Sequence, residues 1–239
     1  MPSEATLAGK VALVTGGSRG IGFAIARRLG QMSARVAICA RDQAKLDQAA
    51  STLRGEKIET LAVRTDVARE DEISALVQKT REEFGPIDIL VNNAGIGLFG
   101  AFHEFGEADW NRVIDTNLKS AFLASRAVAP EMIRRQTGHI INISSLAGKS
   151  AFAGGAIYCA SKWGLLGLTG SMAEDLRAYG IRVSAICPGS VATDFAGHGG
   201  KDPSKLLQPD DVARAVAALV TQGPGSFISE VHIRPTRKP

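Results

Sequence analysis

Short apolar runs alternate with helix-length stretches along nearly the whole chain, and no other feature restricts its fold as much. Runs at 11–15, 35–39, 58–63, 87–91, 139–143, 181–186 and 227–233 read as strands. Stretches at 19–30, 42–53, 71–84, 109–135, 155–179 and 209–221 read as helices. Several strand runs, Val11-Ala12-Leu13-Val14 among them, carry no polar alternate face. A strand apolar on both sides must be covered on both sides, which predicts an α/β fold: a doubly wound parallel sheet between helices. Residues 1–239 read as one domain, without linker, repeat or low-complexity tract. Pro130 predicts a kink or a break in the long fourth helix. Residues 196–205 form a Gly-rich loop without apolar rhythm after a strand, either a mobile lid or a plain surface loop.

Composition removes several function classes. With 45% apolar and 22% charged residues the chain is ordinary globular material rather than disordered. The net charge of +4 is spread thinly, with no basic stripe interleaved with aromatics, so nucleic acid is not an expected partner. No apolar run reaches the ~18 residues of a membrane span, and residues 1–9 lack the order of a signal peptide. The three cysteines, Cys39, Cys159 and Cys187, are odd in number and lie far apart in apolar settings. Free thiols in a reducing cytoplasm are expected, and no metal. His103, His139, His198 and His232 have no partner at catalytic or metal spacing along the chain.

The stretch Tyr158-Cys159-Ala160-Ser161-Lys162 carries the chemistry. Residues four apart on a helix share a face, so Tyr158 and Lys162 can share a site. A phenol ionises near pH ~10, and an ammonium close by would lower that value and make the tyrosine a usable acid or base. A half-buried Tyr beside a surface Lys fits the same spacing. At the other end of the chain, Thr15-Gly16-Gly17-Ser18-Arg19-Gly20-Ile21-Gly22 joins the first strand to the first helix. Glycines there let backbone amides approach a pyrophosphate at a helix N-terminus. The spacing is G-x-x-x-G-x-G rather than G-x-G-x-x-G.

These two motifs, with Asn92-Asn93-Ala94-Gly95, Asn117, Ser144-Ser145 and Pro188–Thr193 in this order, resemble the short-chain dehydrogenase/reductase family, in the branch of chains of about this length. The resemblance implies a Rossmann fold, a nicotinamide cofactor and carbonyl/alcohol redox chemistry. It implies that Gly16, Ser18, Arg19, Gly20, Ile21 and Gly22 hold the pyrophosphate end, and that Asp66 and Val67 meet the adenine. A helix N-cap is the alternative reading of Asp66. Asn93, Ala94 and Gly95 line the ribose. Pro188, Gly189, Val191 and Thr193 grip the carboxamide. Ser145, thirteen residues before Tyr158, is the implied partner of the substrate oxygen, with Ser144 pointing to the opposite side. Lys162 binds the ribose and tunes Tyr158, the general acid, and Asn117 holds a water that resupplies the proton.

The cofactor reading follows from the tip of the second strand, Cys39-Ala40-Arg41-Asp42. An acid at the Ala40 position would select NAD; instead Arg41, with Arg19, suits a 2′-phosphate, and Asp42 reads as the next helix's N-cap. NADP(H) is therefore expected. The substrate expected is a small-molecule ketone or alcohol, a 3-oxoacyl thioester as in 3-oxoacyl-[acyl-carrier-protein] reductases. A reductase of small or aromatic ketones and a non-catalytic sensor of NADP(H) are the alternatives. Residues 121–132 and 165–172 offer more small and apolar surface than one sheet face should need, and the resemblance implies that such helices pair about a two-fold axis within a homotetramer; a dimer is the alternative, because the tail departs from the family's Asp-Gly-Gly ending and reads Ile233-Arg234-Pro235.

Overall fold

The computed structural model describes residues 6–195 and 202–237. Seven strands form one parallel sheet: β1 (Val11–Thr15), β2 (Arg35–Ala40), β3 (Thr60–Arg64), β4 (Ile89–Asn92), β5 (Gly138–Ile143), β6 (Ile181–Pro188) and β7 (Glu230–Ile233). Their spatial order is β3-β2-β1-β4-β5-β6-β7. All residues of β1, β4 and β5 are buried, which is why their sequences carry no polar face.

Helices α1 (Gly20–Gln31), α2 (Gln43–Gly55) and α7 (Pro209–Val220) cover one side, and α3 (Glu70–Phe84), α5 (Ser120–Arg135) and α6 (Ala156–Arg177) the other. Asp42 does cap α2, its carboxylate accepting the Lys45 N–H at 3.1 Å. Where one helix over 109–135 is expected, the chain forms α4 (Glu107–Ile114), a π-helical turn at Asp115–Lys119, and then α5. Pro130 lies inside α5 without ending it. The last strand begins at Glu230 rather than at residue 227. The expected lid falls largely outside the described residues; its end, Pro203–Lys205, is a short 3₁₀ turn.

The middle of the sheet is fixed by buried amides. Asn92 donates to Asn142 Oδ1 at 2.8 Å and to Ser125 Oγ at 3.1 Å, and Asn142 donates to Thr169 Oγ1 at 2.8 Å. Four elements that frame the site, β4, β5, α5 and α6, are thereby tied together, and polar groups that would be costly to bury unpaired are largely matched. Among the described residues, no helix is long and apolar enough to cross a membrane.

Candidate active site

The connections from β1 and β4 leave in opposite directions, and at this switch point the strand ends open into a cleft of about 1370 Å³. A single small ligand usually occupies ~300–1,000 Å³, so the cleft has room for a dinucleotide and a second molecule. Gly16, Ser18, Arg19, Gly20, Ile21, Gly22, Arg41, Val67, Asn93, Ala94, Gly95, Ser145, Tyr158, Lys162, Pro188, Gly189, Val191 and Thr193 all line it. Asp66 and Asn117 do not. The Asp66 carboxylate accepts the Ala68 N–H at 3.1 Å in a tight turn, and α3 starts only after Arg69, so Asp66 is not its N-cap.

The first end of the cleft is built for an anion. A Cβ on Gly22 would come within 2.2 Å of the Gly16 carbonyl and 2.4 Å of Asn93 Nδ2, so only glycine lets α1 start this close to the turn. Gly16 and Gly20 hold φ of +66° and +55°, which L side chains rarely adopt. No side chain caps α1, and its first turn carries no acid. Its free N–H groups and dipole are left to face the cleft. These residues fit the pyrophosphate of a dinucleotide. Ala40 and Arg41 line the same end, and Arg19 reaches Asp194 at 3.5 Å in an exposed ion pair.

At the second end, α6 carries Tyr158 and Lys162, one turn apart and both buried. Lys162 Nζ donates to the Ile143 carbonyl at 2.9 Å and lies 5.8 Å from the centre of the Tyr158 ring. The Ser145 hydroxyl accepts the Ala147 N–H at 3.1 Å and stands close enough to the phenol to favour its ionised form. Ser144 turns the other way and donates to the Lys162 carbonyl at 3.2 Å. Alternation along the chain leaving β5 separates the two serines.

The electrostatics correct one expectation. Burial pushes the Tyr158 phenol up to about 12, against the opposing pull of the Ser145 hydroxyl. Lys162 adds no opposing pull: burial brings its own ammonium down to about 8, and it donates to the Ile143 carbonyl. Sharing a helix face did not bring the ammonium onto the phenol oxygen.

Asn117 stands behind the wall, in the π-helical turn. Its Nδ2 donates to Ser161 Oγ at 3.0 Å, and a Cβ on Gly95 would lie 3.4 Å from its Oδ1 and 3.8 Å from Lys162 Nζ. A widened turn of this kind costs hydrogen-bond geometry and is found often at functional sites.

Several lining residues escape the sequence reading. Phe99, Phe152 and Phe195 come from the loops after β4, β5 and β6. Arg234 and Pro235 also line the cleft: Gly189 N–H donates to the Ile233 carbonyl at 2.8 Å, which draws the altered tail against residues 188–193. The missing terminal glycines were the signal for this. His232 also finds partners that sequence spacing hides. Register pairs it with Cys187, and Cys187 Sγ, a Glu230 oxygen and a His232 ring nitrogen lie within 4.8 Å of one another. Lys149 Nζ already stands 2.8 Å from Glu230, so this cluster carries its own cation.

Comparison with known proteins agrees with this geometry. The short chain dehydrogenase family model matches residues 10–203. A 3-oxoacyl-[acyl-carrier-protein] reductase of Synechocystis sp. is 36% identical over 231 residues, covering 93% of this chain and 94% of its own. A metagenomic short-chain oxidoreductase solved in complex with NADP is 47% identical, with a TM-score of 0.87 over 97% of this chain and 99% of that one. An actinorhodin polyketide ketoreductase variant with NADPH is 34% identical, with a TM-score of 0.87 over 98% of each chain.

Proposed function

This chain belongs to the short-chain dehydrogenase family, and on that premise we propose that it is an NADP(H)-dependent oxidoreductase reducing a ketone, a 3-oxoacyl thioester or a related carbonyl, to the alcohol. One observation carries the reading: the uncapped start of α1 and the Ser145–Tyr158–Lys162 group face the same cleft. Relatives with NADP or NADPH bound support the choice of cofactor, as do Ala40 and the cationic Arg41 at the end of β2 and Arg19 just before α1.

Gly16, Ser18, Gly20, Ile21 and Gly22 would hold the pyrophosphate, Arg19 and Arg41 the 2′-phosphate, and Val67 the adenine. Asn93, Ala94, Gly95 and Lys162 would hold the ribose, and Pro188, Gly189, Val191 and Thr193 the carboxamide. NADPH, once bound, would supply a hydride to the carbonyl carbon and be left as NADP⁺. The Tyr158 hydroxyl gives its proton to the carbonyl oxygen as that oxygen takes up the π pair. A phenol pushed up to about 12 keeps its proton at neutral pH, the form that reduction needs. Ser145 donates a hydrogen bond to the oxygen as charge grows there. Asn117 positions Lys162 and Gly95 from behind, the place a proton resupply route would pass.

A panel of ketones and acyl thioesters, followed by NADPH absorbance, tests this. Consumption of NADPH with at least one of them is expected; no consumption with any, by protein that binds NADPH, contradicts the reading. The whole of 1–239 acts as one domain in this proposal, since cofactor and substrate residues interleave along the chain. We further propose a homotetramer working in the cytoplasm.

A further inference from the structure

We propose that Phe99, Phe152 and Phe195 form an aromatic collar that selects carbonyl substrates carrying a planar aromatic ring beside the reacting carbon. The inference rests on the reductase reading and sharpens its substrate class. The Tyr158 ring lies 5.4 Å from Phe99, edge to face at 66°, and 5.9 Å from Phe195, tilted at 53°. Phe152 extends the set, 5.9 Å from Phe99. All three separations fall within the roughly 4.5–7 Å over which aromatic rings interact, and the Phe99–Tyr158 pair has the favoured edge-to-face tilt.

The collar has prepared berths. A Cβ on Gly97 would meet the Phe99 ring at 2.7 Å and the Phe195 ring at 3.0 Å; one on Gly155 would meet the Phe152 ring at 2.6 Å. Glycine at both positions lets the rings approach the backbone closely. The rings nonetheless remain open to solvent, Phe99 at 43%, Phe152 at 49% and Phe195 at 39%. Large apolar faces held in place, left wet and grouped around the proton donor are what a flat apolar ligand would cover. A flexible aliphatic chain would bury less against them and lose more conformational freedom.

The test compares ethyl benzoylacetate with ethyl acetoacetate, which present the same keto ester with a phenyl or a methyl group. With NADPH, kcat/KM for the phenyl ester should exceed that for the methyl ester. Phe152→Leu and Phe99→Leu should each lower that ratio by roughly 3–10-fold, whereas Phe152→Tyr should keep it. Gly155→Ala should also lower it, by dislodging the Phe152 ring without removing it. Because the readout is a ratio on one protein, general damage to Tyr158 cancels. If both esters turn over, a ratio at or below one, or a ratio that the Leu variants do not move, overturns the collar and leaves the reductase reading standing. If neither is reduced, that reading fails for keto esters, and calorimetry of the two hydroxy esters on protein mixed with NADP decides the collar. Tighter binding of the phenyl compound, lost in Phe152→Leu, supports it; equal or absent binding overturns it.

Discussion

Asn117 closes a two-bond ring on the backbone of Ile96: its Oδ1 accepts the Ile96 N–H at 2.8 Å and its Nδ2 donates to the Ile96 carbonyl at 2.9 Å. The ring pins the loop that carries Gly95 to the π-helical turn, and the third bond, to Ser161, reaches the residue next to Lys162. Asn117→Ala would leave the Ile96 groups without these partners in a partly buried site. Unfolding free energy should fall by roughly 1–3 kcal/mol, read by urea denaturation, with turnover falling too as Gly95 and Lys162 lose their support. A stability change within experimental error would show that the ring does not hold the wall.

Arg41 is exposed at the end of β2, and among the described residues it has no ion-pair partner. Arg19 is only loosely held by Asp194, since both side chains are largely in water. NADPH should be preferred over NADH by at least ~10-fold in kcat/KM, about 1.4 kcal/mol. Arg41→Ala should weaken NADPH and leave NADH nearly unchanged. Equal use of the two cofactors by the unaltered protein would contradict the 2′-phosphate assignment.

His139 should make the fold acid-sensitive. Ser184 Oγ donates to the Ile228 carbonyl at 2.7 Å, so it must accept from His139 Nε2, 2.9 Å away. That fixes the proton on Nε2 and leaves Nδ1 buried without a partner. Burial, with the nearby Arg182 charge, brings the imidazole down to about 3. The folded state then binds fewer protons than the unfolded state between about pH 3 and the ordinary histidine value near ~6.5, so stability is lost as pH falls through that window. His139→Gln should flatten this acid limb in urea midpoints measured from pH 7 to pH 4. An unchanged slope would contradict the assignment.

The outer faces of α5 and α6 are unusually apolar, with Phe122 43% and Trp163 51% exposed. A Cβ at Gly167 or Gly170 would meet nothing within 4 Å, which leaves backbone open to close approach by a second helix. Light scattering should give a tetramer with two-fold symmetries, or a dimer where the Arg234–Pro235 tail prevents the second contact. A monomer at micromolar concentration would contradict both.

What the sequence made legible was local or periodic. Buried strands announced themselves by lacking a polar face, and Asp42 announced α2 because a cap reaches only three residues ahead. What stayed hidden depends on contacts between distant segments. The π-helical turn goes with Asn117 gripping Ile96, 21 residues away. Cys187 meets His232 through strand register alone. Tyr158 and Lys162 share a face as their spacing requires, yet spacing does not say that burial would raise the phenol and turn Nζ to Ile143. The collar is assembled from three loops, and nothing in any one of them says that its Phe will meet the other two.

The central claim is that Tyr158 gives the proton, and steady-state reduction by Tyr158→Phe, using whichever ketone the panel identifies, tests it most directly. The substitution removes one oxygen and keeps the ring that packs against Phe99 and Phe195. Folding and NADPH binding should survive, and kcat should fall by ~10²–10⁴-fold, the range for loss of a general acid. Turnover near that of the unaltered protein would show that the proton comes from elsewhere and would contradict the account.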